Sequence, residues 1–167
     1  MSLYEARKFV AESYAENDLI GKQLLIAYLV SKGHVIKEET FDEDYGIDIV
    51  TEHDGQRYLF EVEMKDKYDF TDEESFPFET VSFLGRKEKW KTRKYFYCII
   101  STKTKAAIFC DSDTIFNEEY KQVIHIETYN RQGLDSFYRV PKELCQFREP
   151  KDFYKKDHKE IWDKLKG

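Results

Sequence analysis

The sequence is poor in cysteine, and that absence narrows it first. Cys98, Cys110 and Cys145 are the only three, and no two share a CxxC spacing. An odd number of distant cysteines in apolar stretches offers no disulfide framework; it predicts reduced, buried thiols in a cytoplasmic protein. The histidines, His34, His53, His125 and His158, are equally scattered and lack zinc-ligand spacing, so they read as structural or solvated. No apolar run approaches the roughly 18 residues of a membrane helix, which predicts no membrane span. The first residues, MSLYEARKFVAESYAEND, contain no apolar h-region and do not read as a signal peptide. Repeats, low-complexity tracts and an interdomain linker are absent as well.

The 167 residues suit one domain, 1–167, with a single core. Aromatics make up 16% of the chain, with 13 Phe and 12 Tyr, and rings of that size bury enough area to offset 36% charged residues. The net charge of −6 argues against nucleic acid only if charge is spread evenly, and it is not. Between Arg86 and Lys105 stand Arg86, Lys87, Lys89, Lys91, Arg93, Lys94, Lys103 and Lys105 against the single acid Glu88. The preceding stretch, Asp66 to Glu79, is largely acidic.

Residues 4–14 predict a short helix. Asn17 or Asp18 then caps a longer one over LIGKQLLIAYLVSK, apolar almost all round and closed by Gly33. HVIKEET and GIDIVTEH predict strands, Asp54-Gly55 a tight hairpin turn, and QRYLFEVEMK a third strand. Residues 66–76 read as a polar loop, FETVSFL as a strand and GRKEKWKTRK as a basic loop or short helix. YFYCIIS, AAIFC, KQVIHIET and SFYRV complete the strands, with Gly133 in the last turn, and 151–166 form a closing helix. Its apolar stripe is Tyr154, His158, Ile161 and Leu165, with Trp162 beside it. The fold class is α+β (or α/β with a mixed sheet).

A two-residue turn at Asp54-Gly55 sets His53 opposite Gln56, and the same register sets Asp48 opposite Glu61. Facing side chains have Cβ atoms about 4.5–5.5 Å apart, where like charges destabilise a sheet. Glu63 and Lys65 follow on the same face of the strand, away from Phe60, Val62 and Met64. Three readings fit. The face is solvated; or the carboxylates work as a general acid and base; or they hold a divalent cation, since Mg²⁺ takes hard oxygen ligands from one or two carboxylates plus waters.

A Gly-terminated helix, a strand, then D-x(12)-E-x-(K/E) across a hairpin resembles the PD-(D/E)xK nuclease superfamily. The likeness is greatest to archaeal Holliday-junction resolvases and compact restriction-endonuclease cores. It covers Leu19–Lys65 and, more loosely, Tyr95–Ser101. The resemblance implies a restriction-endonuclease-like mixed central sheet flanked by helices. It also implies Asp48 and Glu61 as metal ligands, with Glu63 in place of the usual lysine and as a further ligand. Lys65 would then supply the ammonium. The family's helix acid falls at Lys22, beside Gln23, leaving Glu16 or Asp18 to substitute; Tyr45-Gly46-Ile47 stands where the family's proline precedes the Asp.

On this reading the chain is a Mg²⁺- or Mn²⁺-dependent DNA endonuclease, with Asp48, Glu61 and Glu63 around one or two ions about 3.5–4 Å apart. Arg86, Lys87, Lys89, Lys91, Arg93 and Lys94 would neutralise phosphates and Trp90 would stack on a base or sugar. The plain alternative for that segment is a solvated loop with Trp90 in the core. Cutting two strands with one site per chain would call for a homodimer. Competing functions are a catalytically inactive nuclease-fold module that binds nucleic acid or a protein partner, and an assembly or immunity-type protein.

Overall fold

The computed structural model describes residues 3–42, 45–84, 94–127 and 132–167, with side chains over 17–42, 45–84, 94–123 and 136–167. The architecture is mixed α+β. Helix α1, Leu3–Ser31, runs unbroken through the two helices expected from the sequence. Asn17 and Asp18 therefore lie inside a helix rather than at a cap. One polar pair costs a helix a few tenths of a kcal/mol per residue, less than packing along a long apolar face recovers.

From Leu24 to Leu29 the helix is buried on all sides. It ends as expected at Gly33, whose φ of +91° suits glycine. The His34 N–H bonds the Leu29 carbonyl and the Gly33 N–H bonds that of Val30, the paired closure of a Schellman motif.

Strand β1, Val35–Ile36, leads through a 3₁₀ turn at Glu38–Phe41 to β2, Ile49–His53, and β3, Gln56–Lys65. Asp54 and Gly55 carry φ of +51° and +76°, as a type I′ hairpin turn requires. His53 pairs with Gln56 and Ile49 with Phe60, the register read from the sequence. Then come β4, Thr80–Leu84; β5, Phe96–Ser101; β6, Ala107–Asp111; and the short helix α2, Ser112–Ile115. Strands β7, Lys121–Glu127, β8, Gln132–Pro141, and β9, Gln146–Arg148, precede helices α3, Pro150–Phe153, and α4, His158–Lys166.

The large sheet has the order β1-β2-β3-β5-β6-β9, antiparallel except for the parallel β3–β5 pair. The small sheet is β4-β8-β7. Gly133 lies within β8, paired with Ile126, rather than in a turn. The expected closing helix is two helices, because Tyr154 leaves α3 with extended backbone (φ −76°, ψ 124°). Its buried side is His158 and Trp162, while Tyr154 and Leu165 are exposed.

Each face of the large sheet carries its own core. Phe60, Val62, Cys98, Ile100 and Ala107 pack under α1, Phe153 and Trp162. At Gly21, an added Cβ would stand 3.1 Å from Met64 Cγ, so glycine lets the helix approach β3. The opposite face, with Tyr97, Ile99 and Ile108, packs against Val81, Phe83, Tyr138 and Val140 of the small sheet. The acidic 66–76 loop is a loop as expected, yet Tyr68, Phe70 and Phe76 project from it into this second core. The three cysteines are free and buried. Among the described residues no helix is long and apolar enough to cross a membrane.

The entry to β2 is held by Thr40, which is 1% exposed. Its hydroxyl donates to the Val50 carbonyl and accepts from the Val50 N–H, both at 3.0 Å. The carbonyl also accepts from Lys37 N–H, so it keeps a partner without Thr40; the Val50 N–H does not. Thr40→Val, matched in shape, is therefore expected to lower unfolding free energy by about 1–3 kcal/mol in urea titrations. An unchanged midpoint would contradict this role.

Candidate active site

Asp48 immediately precedes β2, so extending the ladder by one pair sets it opposite Glu61. The β2 backbone no longer reaches β3 there, and a side chain replaces it: Asp48 Oδ2 accepts the Val62 N–H at 2.9 Å. That bond pins the Asp48 carboxylate beside Glu61 in the chain and occupies one of its roughly four acceptor positions.

Glu61 projects to the small-sheet side and is 1% exposed. Its Oε1 is buried and takes no hydrogen bond among the described residues, while the carboxylate acts electrostatically on Tyr95 and Tyr97. Burial raises the Tyr95 phenol, and the charge of Glu61 raises it further. The sequence reading left this face open to solvent or a cleft. It is a second core instead, because β4, β8 and residues 68–76 cover it.

Glu63 and Lys65 follow on that face, each with a protein partner. Tyr97 Oη donates to Glu63 Oε2 at 2.7 Å. Burial pushes the Tyr97 phenol well up, and Glu63 adds to the shift by charge and by accepting the bond. Lys65 Nζ donates to the Ser82 carbonyl at 2.8 Å on β4 and stands 4.7 Å from the Tyr68 ring centroid. The Tyr68 hydroxyl in turn accepts the Ser82 N–H at 3.0 Å. Glu63, Tyr97, Lys65, Tyr68 and Ser82 thus form a polar seam between the sheets.

Asp48 thus sits one residue beyond the β2–β3 ladder, bonded to the residue after Glu61, and Glu63 is turned to Tyr97. Among the described residues no group of three or more His, Cys, Asp or Glu side chains is placed to hold a metal ion. A pair of carboxylates with waters remains within what Mg²⁺ accepts. Helix α1 crosses the Phe60–Val62 face, opposite Glu61. Asp18 is exposed on it, the Glu16 side chain lies outside the described residues, and Lys22 Nζ donates to the Thr40 carbonyl at 2.6 Å. Lys94 is exposed; Arg86, Lys87, Lys89, Trp90, Lys91 and Arg93 lie outside the described residues.

The sequence reading missed Tyr95, Tyr97, Tyr68 and Ser82. The alternation Tyr95, Tyr97, Ile99 in YFYCIIS marks one face of a strand, but which neighbour that face meets depends on the parallel β3–β5 pairing. His34 and His53, read as scattered, stack with ring centroids 4.5 Å apart. No protein-family model, curated protein or solved structure matches this chain.

Burial lowers the Lys65 amine from its ordinary 10.5, with Glu63 partly opposing. Between the lowered value and 10.5 the unfolded chain binds the extra proton, so stability linked to Lys65 rises with pH across that window and levels off above it. The difference in unfolding free energy between Lys65→Met and wild type is expected to shift in favour of wild type as pH approaches 10.5. A pH-independent difference would contradict a desolvated amine.

Proposed function

We propose that this chain is a divalent-cation-dependent phosphodiester hydrolase acting on DNA, with Asp48 and Glu61 as the cation's protein ligands. The observation that carries the reading is the register-locked pair itself: a carboxylate 1% exposed, next to a second held by the Val62 N–H. Burying a carboxylate costs several kcal/mol, and a facing like charge adds to the cost. A bound cation turns that repulsion into attraction, which a purely structural role does not.

The residues divide the work accordingly. A divalent cation supplies charge that polarises the scissile phosphate and lowers the pKa of the attacking water. Asp48 and Glu61 offer it hard oxygen donors, and the Val62 N–H orients the Asp48 carboxylate. Glu63 stands where the resembling family carries lysine; its Oε2 accepts the Tyr97 bond, and only its other oxygen would serve as a ligand or orient the water. Lys94, the last residue of the basic run 86–94, directly precedes Tyr95 in the chain and is exposed. Lys and Arg there would neutralise the DNA backbone. Cleavage of both strands would use two chains.

A second reading, a nuclease-like fold that binds nucleic acid or a protein partner without cutting, is favoured by one observation. Glu63 and Lys65 are both committed to the seam between the sheets. Supercoiled plasmid incubated with Mg²⁺ or Mn²⁺ separates the two. Wild type is expected to nick or linearise it, and Asp48→Ala to lose at least about a hundredfold in rate, the upper end of what even outer-sphere metal contacts cost. Failure to cleave duplex, branched or single-stranded DNA with either ion would overturn the hydrolase and leave the binding module.

A further inference from the structure

On the helix side of the large sheet, away from Glu61, an open cavity of about 270 Å³ lies at the end of α1. That is near the lower end of the ~300–1,000 Å³ of small-molecule sites, enough for one compact ligand. Its floor crosses four strands: Tyr58 and Phe60 from β3, Phe96 from β5, Phe109 from β6 and Arg148 from β9. The aromatic floor is set as a surface, with Phe60 and Phe96 stacked at 5.7 Å and 28° and Tyr58 tilted against Phe96 at 6.2 Å. Tyr28 in the last turn of α1 and Lys32 just beyond the helix form the wall.

The charge at the rim is of one sign. Arg148 Nε donates to Tyr28 Oη at 3.2 Å and its NH1 group to the Phe147 carbonyl at 3.0 Å, which fixes the guanidinium with donors to spare. Lys32 is exposed, with Nζ 5.6 Å from the Tyr28 ring centroid. Among the described residues no carboxylate lines the cavity. On flanking segments, Glu149 pairs with Lys151 at 3.3 Å, Asp111 caps α2 through Thr114, and the exposed Asp54 lies 3.6 Å from His53. Burial and the neighbouring His53 lower the His34 imidazole from its ordinary value, with Asp54 partly opposing.

Two effects oppose an anion here: the exposed Asp54 carboxylate, which acts on His34, and the partial negative charge at the helix C-terminus. The second amounts to about half an elementary charge, and the Leu29 and Val30 carbonyls are already taken by His34 and Gly33. Two full cations outweigh them. We propose that this cavity binds a small molecule with one planar aromatic ring system and one anionic group, its ring on Phe96, Phe109 and Tyr58 and its anionic group on Arg148 and Lys32. A guanidinium fork suits a carboxylate or a phosphate equally, so the ligand is either an aromatic carboxylate or a nucleoside monophosphate.

Four probes test this by calorimetry and ligand-observed NMR on the full chain: naphthalene-2-carboxylate, adenosine 5′-monophosphate, uncharged indole and inorganic phosphate. At least one of the first two is expected to bind tenfold or more tighter than both indole and phosphate, and which one binds assigns the source. Arg148→Gln is expected to remove that advantage while leaving indole binding unchanged. Lys32→Gln, at an exposed position, is expected to reduce it severalfold and serves if Arg148→Gln does not fold. Equal binding of indole, equal binding of phosphate, no binding of either aromatic anion, or an advantage that survives both substitutions would each overturn the proposal. None of these outcomes depends on DNA cleavage.

Discussion

The Asp54-Gly55 turn is the constraint on which the rest depends. Two consecutive positive φ angles allow one hairpin geometry, and that geometry fixes which β2 residue meets which β3 residue. Because side chains alternate along a strand, a slip of one residue would exchange the two faces of β3. Phe60 and Val62 would leave α1, and Glu61, Glu63 and Lys65 would enter the apolar core beneath the helix. The register also leaves the Val62 N–H beyond the reach of β2, and this is what draws in the Asp48 carboxylate. One tight turn thus decides both the core and the position of the candidate ligands.

Burial on both faces gives the carboxylate face its character. A parallel strand pair in the middle of a sheet is ordinarily covered on both sides. Here α1 covers one side and the small sheet the other. Polar groups caught between the sheets must find partners, and Glu63 with Tyr97 and Lys65 with Ser82 do so. These bonds tie β3 to β5 and β4, so the seam serves stability whatever else it does. Asp48 and Glu61 differ because they carry like charge at neighbouring positions.

Local chemistry was legible in the sequence. The turn, the ten-residue β3, the buried stretch Leu24–Leu29 and the glycine closing α1 each depend on residues close in the chain. What was not legible depends on distant partners. The acidic run 66–76 hides Tyr68, Phe70 and Phe76 in a core assembled from β4 and β8, and a polar average over that run conceals them. The polar face of β3 looked open because the small sheet that covers it arrives later in the sequence. Asn17 and Asp18 carry a capping signal that the flanking helix overrode. The β2–β3 register from Ile49–Phe60 to His53–Gln56 was readable from the turn; the attachment of Glu63 to Tyr97 required the parallel β3–β5 register, which no local signal encodes.

The central claim is that Asp48 and Glu61 together hold a divalent cation. Electron paramagnetic resonance of free Mn²⁺ during titration with protein tests it without reference to any substrate. The account predicts one class of bound Mn²⁺ in wild type, competed by Mg²⁺, and its loss in both Asp48→Asn and Glu61→Gln. Mn²⁺ bound equally well by wild type and Asp48→Asn would contradict it.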